Sequence, residues 1–597
     1  MTTDIPRPEY PRPQFVRTDW LCLNGTWEFE ADYGDSGAQR GLKDRTLLDT
    51  IVVPFCPESE LSTVFHPDFL NAVWYRRTVA IPSEWAGRDV LLHFGAVDYD
   101  ATVWVNGTEV ARHRGGFTPF TAELAGVAKP GEDAVIVVRA RDKHKEPKPM
   151  GKQSNQYAPY SCFYTRTTGI WQTVWMEPVP VLSALKRPRL TPDVANGAIR
   201  LEQPITRNAP GLRLRATVSD GDGVVARAET RADLDLAPRL DLVIPENRRR
   251  LWSMDDPHLY GVIIELVDGD GAVIDRAESY AGLRSVSIDG KKVRINGKSV
   301  FQRLILDQGY WIESVMTAPT DAELVADIQR SLDTGFNGAR LHQKVFEERF
   351  LYHADRMGYL CWGEFGDWGC AEYGAQWNHQ QPGATYITQF LEALERDYSH
   401  PSIIGWCPMN ETWQTNSEGI TVLDDVTRGM FLACKAMDTS RPVLDASGYA
   451  HRVRESDIYD AHDYEQDPEK FKANHAGLEK DDPFVNKGWN NQPTNIAYRG
   501  QPYFVSEFGG IWWNPAAFEN KESWGYGERV KNLDEFYARF KGLLDALLDD
   551  PNMFGYCYTQ LTDVYPEENG LFTFDRTPKF DNAHLKAIQS RRAAIEG

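Results

Sequence analysis

From about residue 286 to the end of the chain, short apolar runs of strand type alternate with longer runs of helical type. Strands that are joined by helices run parallel to one another, and eight such units close into a (β/α)8 barrel. The pattern therefore predicts a TIM barrel over residues 286–597. The strand candidates are 300–306, 336–341, 359–362, 403–406, 442–445, 458–461, 503–505 and 553–556.

One helix of this stretch has start and stop signals of its own. Thr320 and Glu323 have the spacing of a capping box, and Leu324 and Ile328 begin an apolar stripe of helical period. Gly335 follows the last periodic position and predicts the helix end.

Two glutamates stand where barrel strands are expected to end. Counted from residue 300, Glu411 follows the fourth strand candidate and Glu507 the seventh. The carboxyl ends of barrel strands carry the active site, and two carboxylates that face one cleft can cleave a glycosidic bond. A retaining enzyme needs them roughly 5–5.5 Å apart. The amide of Asn410 could bind the sugar 2-hydroxyl. A single glutamate at a strand end is ordinarily a salt-bridged rim residue, but a pair at strands four and seven favours catalysis.

The sequence patterns of the two preceding parts of the chain are typical of β-strands. In residues 1–180, short apolar runs such as Val90–Phe94 and Thr102–Val105 are separated by turns, and Asn106-Gly107 predicts a tight hairpin. This predicts an N-terminal β-sandwich of jelly-roll type. Residues 181–285 continue with strict alternation around Leu212–Val218, which predicts an immunoglobulin-like β-sandwich.

Charge and cysteine content exclude several classes of function. The chain of 597 residues carries a formal net charge of −21, which argues against nucleic acid and anionic membrane surfaces as partners. Its eight cysteines are scattered along the chain and include no CxxC pair. This pattern indicates a reducing compartment and not a disulfide framework. We find no secretory signal and no run of about 18 apolar residues, so we expect a cytoplasmic protein without a membrane span. The sequence does not decide whether the chain forms a homo-oligomer.

Specific motifs resemble glycoside hydrolase family 2, the family of bacterial β-galactosidases, β-glucuronidases and β-mannosidases. Residues 400–411 (HPSIIGWCPMNE) resemble its acid/base signature, and residues 502–509 (PYFVSEFG) resemble its nucleophile segment. Residues 335–342 (GFNGARLH) and 355–364 (DRMGYLCWGE) resemble its motifs on barrel strands two and three. Shorter segments resemble its N-terminal sugar-binding domain and middle sandwich, and they lie at 23–27, 74–77, 168–172, 251–260 and 282–284.

The resemblance implies a role for each matched position. Glu411 would be the general acid/base and Glu507 the nucleophile, with net retention of configuration. Arg340 would hold the nucleophile in its ionised form, and Tyr464 would donate its phenol to Glu507. The remaining substrate-binding candidates are Asp307, His342, Glu364, Asn410, His462, Trp524 and Gln560.

Several of these candidates have a plain structural alternative. Arg340 could be half of a structural ion pair, Tyr464 a packed aromatic, and His342 a satisfied rim residue. Trp524 could stack on a sugar face or only pack a lid. The long polar stretch 463–501 is typical of a lid or specificity loop.

The sequence also departs from parts of the family pattern. Glucuronidases of the family read the substrate carboxylate with an Asn-x-Lys motif near the eighth strand. The corresponding stretch here is Glu567-Glu568-Asn569, which carries acids where a uronate needs a cation. This disfavours a glucuronidase. We predict no cofactor and no required metal.

We therefore predict a retaining exo-acting β-glycosidase on a terminal non-reducing sugar, with a β-galactosidase as the first reading. The alternatives are a β-mannosidase, galactofuranosidase, arabinopyranosidase or β-glucuronidase of the same family. A third reading, from another class, is a carbohydrate-binding protein without catalysis, against which the two glutamates argue.

Overall fold

The computed structural model describes residues 5–144, 146–368, 384–412, 416, 419–488, 491–514 and 523–597. Its N-terminal part is a β-sandwich, as predicted. Antiparallel sheets with strand orders β1-β12-β5-β9 and β3-β2-β4-β10-β7-β8 enclose an apolar core, and a short β11-β6 pair lies beside them. Their strands are β1 (Leu21–Cys22), β2 (Gly25–Ala31), β3 (Asp49–Val53), β4 (Ala72–Ala80), β5 (Arg88–Phe94), β6 (Val97–Asp98), β7 (Asp100–Val105), β8 (Thr108–Arg114), β9 (Phe120–Glu123), β10 (Asp133–Arg141), β11 (Gly169–Ile170) and β12 (Val174–Pro180).

The predicted hairpin turn joins β7 to β8. Asn106 and Gly107 both have positive φ angles, 49° and 80°, which a two-residue type I′ turn requires. Val105 pairs with Thr108 across it.

The middle part is a second sandwich, built from sheets of order β13-β14-β17 and β16-β15-β18-β19. The alternation around Leu214 and Val218 places these side chains in the core of this sandwich. A small sheet, β20-β21-β22, then leads into the barrel. The strands are β13 (Arg189–Asp193), β14 (Ala198–Glu202), β15 (Arg213–Asp220), β16 (Gly223–Arg231), β17 (Arg239–Val243), β18 (Tyr260–Val267), β19 (Val273–Ala281), β20 (Val286–Asp289), β21 (Lys292–Ile295) and β22 (Lys298–Ser299).

The C-terminal part is the predicted barrel, a curved parallel sheet in the order β26-β25-β24-β23-β29-β28-β27. The first and eighth barrel strands, β23 and β29, are hydrogen-bonded neighbours. The strands are β23 (Gln302–Asp307), β24 (Gly338–Leu341), β25 (Leu360–Glu364), β26 (Ile403–Cys407), β27 (Tyr459–Asp463), β28 (Tyr503–Gly509) and β29 (Met553–Thr559). The helices are α1 (Asp321–Asp333), α2 (Glu348–Met357), α3 (Ala384–Asp397), α4 (Val422–Met437), α5 (Pro468–His475), α6 (Leu533–Leu548) and α7 (Asn582–Gln589).

The fifth strand of the barrel is the least regular. The predicted strand 442–445 pairs with β26 only through isolated bridges, Trp406 to Val443 and Asn410 to Ser447. On its other side the Asp457 N–H donates to the Val443 carbonyl at 3.1 Å. These contacts bring the segment into the barrel wall between β26 and β27.

Two local expectations differ from the structure. The Thr320 hydroxyl accepts the Glu323 N–H, but the Glu323 carboxylate pairs with Arg330 and does not complete the capping box. The stretch 463–501 is not only loop, because it contains α5. The cap at Asp467, whose side chain accepts two backbone N–H groups, explains where this helix begins.

The three parts pack closely on one another. Trp171 of the first part and Trp252 of the second belong to the same apolar cluster as the barrel core. The Trp252 indole donates to the Asp355 carbonyl of α2 at 2.7 Å. The proposed boundaries at 180/181 and 285/286 stay predictions. None of the helices in the described segments combines the length and apolar character that a membrane crossing requires.

Candidate active site

Glu411 and Glu507 meet at the carboxyl ends of the barrel strands. One carboxylate oxygen of each and a ring nitrogen of His462 all lie within 4.8 Å of one another. Glu507 lies within β28 and its side chain is 5% exposed, whereas Glu411 follows β26 and its side chain is 21% exposed. The two side chains therefore share one pocket, in which Glu411 is the more accessible group.

The backbone at Glu411 is held in an unusual conformation. Its φ angle is 49°, in the left-handed region that residues other than glycine seldom adopt. The Glu411 N–H donates to the Ser447 carbonyl at 2.8 Å, which fixes the turn after β26. Such conformations cost of order 1–3 kcal/mol and concentrate at functional sites. Here the turn directs the carboxylate toward Glu507.

His462 of β27 connects the two carboxylates. Its Nδ1 lies 2.7 Å from Glu411 Oε1 and 3.4 Å from Glu507 Oε2, while its Nε2 lies 2.9 Å from the Ser447 hydroxyl. Burial lowers the pKa of His462, but the charges of Glu507 and Glu411 outweigh burial and raise the pKa above its ordinary value. The two carboxylates therefore stabilise the protonated imidazole relative to that of an exposed histidine.

Arg340 is the fully buried cation of the site. It donates to Glu507 Oε1 at 3.2 Å, to the Ser506 carbonyl at 2.6 Å and to Asn410 Oδ1 at 3.0 Å, and it forms a buried ion pair with Glu364. The Asn410 amide nitrogen is buried and has no hydrogen-bond partner in the described part of the chain. Arg340 therefore turns this N–H₂ group toward the pocket.

Tyr464 contacts Glu507 from the side opposite to Arg340. Its hydroxyl donates to Glu507 Oε2 at 2.6 Å and lies 3.0 Å from the Thr559 hydroxyl. Burial and the charge of Glu507 hold the pKa of the Tyr464 phenol well above its usual range. The ring stacks on Tyr526 with centroids 3.5 Å apart and planes 5° apart, so the hydroxyl is rigidly aimed.

Comparisons with known proteins match all three parts of the chain. Residues 22–146 match the model of the "Glycosyl hydrolases family 2, sugar binding domain", and residues 184–284 match the "Glycosyl hydrolases family 2" model. A β-glucuronidase of Paenibacillus borealis is 26% identical over 70% of this chain and 72% of its own length. A β-glucuronidase of Bacteroides fragilis is 24% identical over 94% of this chain and 80% of its own length. Curated β-galactosidases also match, at 23% identity.

The chain belongs to glycoside hydrolase family 2. The solved structure of a β-D-glucuronidase of Dictyoglomus thermophilum has the same fold, with a TM-score of 0.75, 20% identity and 98% coverage of both chains. The family match and the glycosidases among its curated relatives show that the chain is a glycosidase.

The structure places the other predicted residues of this family 2 glycosidase around the central pair. His342 follows β24, and its Nδ1 lies 3.1 Å from Glu364 Oε2. Burial and Lys152 hold the pKa of His342 well below its ordinary value. Its Nε2 is buried and has no partner among the described residues, so a neutral ring with a protonated Nδ1 presents Nε2 as an acceptor.

Three other predicted residues form hydrogen bonds or ion pairs with neighbouring protein groups, namely Glu364, Asp307 and Gln560. Glu364 binds Arg340 and His342, and also accepts the Gln343 N–H at 3.1 Å. Asp307 accepts the Gly309 N–H at 2.9 Å, and burial, with the charge of Asp327, raises its pKa to about 7. The Gln560 amide accepts from Gln308 and donates to Asn569, so it supports the pocket wall.

Trp524 lies at the edge of the site. Its indole N–H donates to the Ser161 carbonyl of the N-terminal sandwich at 2.9 Å, and its ring meets Tyr526 edge-on with centroids 5.4 Å apart. The Tyr526–Tyr464 stack connects this ring to the centre of the site.

Sequence reasoning missed four groups that shape the pocket. Asn486 exchanges two hydrogen bonds with the backbone of His462, at 2.8 and 2.7 Å, and Ser447 binds the far side of the same ring. Lys152 comes from the N-terminal sandwich, and Glu567 comes from the loop after β29. The acidic run that contains Glu567 was noticed only as a departure from the family pattern, and no local pattern marks Lys152.

Glu411, His462 and Glu507 are also a set of ligands that a cation could use. In the structure His462 Nδ1 is hydrogen-bonded to Glu411. The expectation that no metal is required stays a prediction, which assays with and without a chelator would test.

Proposed function

We propose that this family 2 enzyme is a retaining exo-β-glycosidase in which Glu507 is the nucleophile and Glu411 the general acid/base. The observation that carries the proposal is the separation of the two carboxylates, with oxygens within 4.8 Å of each other. Retaining glycosidases hold their carboxyl groups roughly 5–5.5 Å apart, whereas inverting ones leave about 6.5–9.5 Å for a water molecule. The short spacing leaves no room for that water.

In the first step, Glu507 attacks the anomeric carbon while the bond to the leaving oxygen breaks. Glu411 gives its proton to that oxygen, so the aglycone leaves as a neutral alcohol and a glycosyl ester forms on Glu507. In the second step, Glu411 takes a proton from water, which attacks the same carbon and releases Glu507 as a carboxylate. Configuration is retained after two inversions.

The surrounding residues act on this reaction through the contacts already described. Arg340 and Tyr464 bind opposite oxygens of Glu507 and so orient its carboxylate for attack. Asn410 directs its amide N–H₂ into the pocket, where it can donate to the sugar 2-hydroxyl, a contact that strengthens at the transition state. His462 contacts both carboxylates and so fixes the position of Glu411 relative to Glu507.

Two sugars are candidates for the pocket. A β-galactoside is favoured by Glu567, which is 2% exposed. Its Oε2 has no partner among the described residues and can accept from a neutral sugar's hydroxyl. A β-glucuronide is favoured by the similarity to proteins named β-glucuronidases and by the cation of Lys152, which interacts with Glu411, Glu507 and Glu567.

The test combines a panel of 4-nitrophenyl β-D-glycosides with rescue by azide. We expect Glu507→Ala to lose turnover of every glycoside that the wild type cleaves. Glu411→Ala should lose about 10²–10⁴-fold on substrates with poor leaving groups. On an activated substrate, azide should restore its turnover by attacking the glycosyl enzyme, and the product should be the β-glycosyl azide.

Glu465→Gln is the matched control, because Glu465 lies beside Tyr464 in sequence and, among the described residues, its carboxylate accepts the Asp467 N–H and does not contact the catalytic pair. We expect this variant to keep wild-type rates. Near wild-type turnover by both the Glu411 and Glu507 variants, or an α-glycosyl azide from Glu411→Ala, would refute the assignment.

A further inference from the structure

A segment of the N-terminal sandwich forms one wall of the catalytic pocket. The Met150 N–H donates to the Trp368 carbonyl at 2.5 Å, and the Gly151 N–H donates to the Gly366 carbonyl at 3.0 Å. A Cβ atom at Gly151, whose φ is +62°, would lie only 2.1 Å from the Gln343 carbonyl oxygen. Only glycine therefore allows this close approach to the barrel. Farther along, Ser161 accepts the indole N–H of Trp524. The segment 150–161 is thus fastened to opposite sides of the barrel mouth.

Lys152 extends from this segment toward the catalytic residues. Its half-buried ammonium lies 5.4 Å from the centroid of the Trp368 ring, and the Trp368 indole N–H donates to the Asn410 carbonyl at 2.7 Å. No hydrogen bond or ion pair joins the Lys152 side chain to the described residues. Burial lowers the pKa of Lys152, but Cys162, Glu567, Glu507 and Glu411 raise it above its ordinary value. The group therefore stays charged.

Glu567 is an acid that interacts with the charge of Lys152 and that the proposed reaction does not use. Its Oε1 accepts from the Asn569 amide at 3.1 Å, whereas its Oε2 is buried without a partner in the described chain. Burial raises the pKa of Glu567, and the charge of Lys152 works against that rise. The charge of each group shifts the pKa of the other, but the two side chains do not form an ion pair. A purely structural pair would be expected to lie within ion-pair distance. The ammonium therefore keeps hydrogen-bond donors that the described residues do not use and that a ligand group could engage.

We propose that Lys152 is a specificity-determining residue that binds the carboxylate of a β-hexuronide, while Glu567 accepts a hydrogen bond from a hydroxyl of the same sugar. Lysine has three donors, no acceptor and a full charge, so its best partner is an anion. The loop 567–569 contains no cation, and Lys152 supplies one from a different part of the chain. The proposal rests on the glycosidase function and specifies its substrate class.

The test is the ratio of kcat/KM for a 4-nitrophenyl β-D-hexuronide to kcat/KM for the corresponding β-D-galactoside. The hexuronides are the glucuronide and the galacturonide. Loss of a charge-assisted contact corresponds to about 10- to 100-fold, so Lys152→Met should lower the ratio by that factor. Lys152→Arg should recover part of the ratio, because it keeps the charge. Glu567→Gln should raise the ratio, because it removes an acid that repels the substrate carboxylate.

Lys143→Met is the control from the same part of the chain, because Lys143 is exposed and its ammonium pairs with the exposed Glu146. Its ratio should equal that of the wild type. An unchanged ratio in Lys152→Met overturns the proposal, as does a wild type that cleaves a neutral glycoside but neither hexuronide. In both cases the glycosidase function itself stands. That function fails only if no glycoside of the panel is cleaved.

Discussion

Replacing Tyr464 by phenylalanine removes one hydrogen bond from the proposed nucleophile and little else. The hydroxyl donates to Glu507 Oε2 at 2.6 Å, and the phenylalanine ring can keep the 3.5 Å stack on Tyr526. A hydrogen bond to a charged group contributes about 1.5–3 kcal/mol, which corresponds to about 10- to 150-fold in rate. His462 Nδ1, at 3.4 Å from the same oxygen, offsets part of the loss and favours the lower half of that range.

The two chemical steps should respond differently to Tyr464→Phe. In the first step Glu507 loses its charge, so a weaker hydrogen bond in the ground state partly compensates for the loss. In the second step Glu507 regains its charge, and the missing phenol slows its departure directly. We therefore expect kcat to fall by about 10- to 50-fold, with accumulation of the glycosyl enzyme.

Stopped-flow assays with a 4-nitrophenyl glycoside measure both effects. The variant should release a burst of nitrophenol that is stoichiometric with enzyme, followed by a slow steady state. Tyr503→Phe is the matched control, since this buried tyrosine of β28 donates only to the Phe484 carbonyl, at 2.8 Å. A kcat of Tyr464→Phe within twofold of wild type, without a burst, would refute the reasoning about the phenol.

Two further predictions concern buried charges. Arg340→Met leaves Glu364 in the barrel core without its cationic partner, so the free energy of unfolding in urea should fall by about 3–5 kcal/mol. Arg340→Met/Glu364→Gln should recover stability but not turnover. Burial lowers the pKa of His451, but Asp445 and Asp460, at 2.8 and 3.0 Å, outweigh it and raise the pKa from 6.5 to about 10. The folded state therefore binds this proton more tightly than the unfolded state, and the stabilisation is complete below pH 6.5 and is lost as the pH rises through about 10. His451→Gln should thus lower the melting temperature more at pH 6 than at pH 10.

Each of these two predictions can be contradicted independently of the other. Recovery of turnover in the Arg340/Glu364 double variant would show that Arg340 serves only to neutralise Glu364. A His451→Gln penalty that is equal at both pH values, or larger at pH 10, would contradict the charged state assigned to His451. Asp457→Asn offers a comparison for the second experiment. It removes an ion pair with the partly exposed Lys435, while the asparagine oxygen can still accept the Val443 N–H, so the change should cost little.

Much of the architecture was predictable because it follows from local patterns. Alternation with a period of two marked the strands of both sandwiches, and Asn106-Gly107 marked a hairpin that the structure contains. Seven of the eight barrel strands lie where apolar runs predicted them. The fifth, at 442–445, is reduced to isolated bridges, and its sequence does not reveal this because backbone pairing depends on the neighbouring strands.

The proximity of Glu411 and Glu507 could be inferred from the sequence alone. Both residues follow apolar runs, and in a parallel barrel the carboxyl ends of all strands converge on one face. Barrel geometry thus converts two positions far apart in sequence into neighbours. Arg340, His342 and Tyr464, which the resemblance to family 2 indicated, also lie at strand ends.

Only the tertiary structure determined how the pocket is completed. Lys152 reaches the site because Gly151 permits an approach to the barrel that a side chain would block, and His462 is positioned by Asn486 from the stretch 463–501. Contacts between separately folded parts depend on surface shape, and residue periodicity contains no information about that shape. The sequence thus determined the barrel and its paired carboxylates through local patterning, whereas docking of the N-terminal sandwich decided which charges face the substrate.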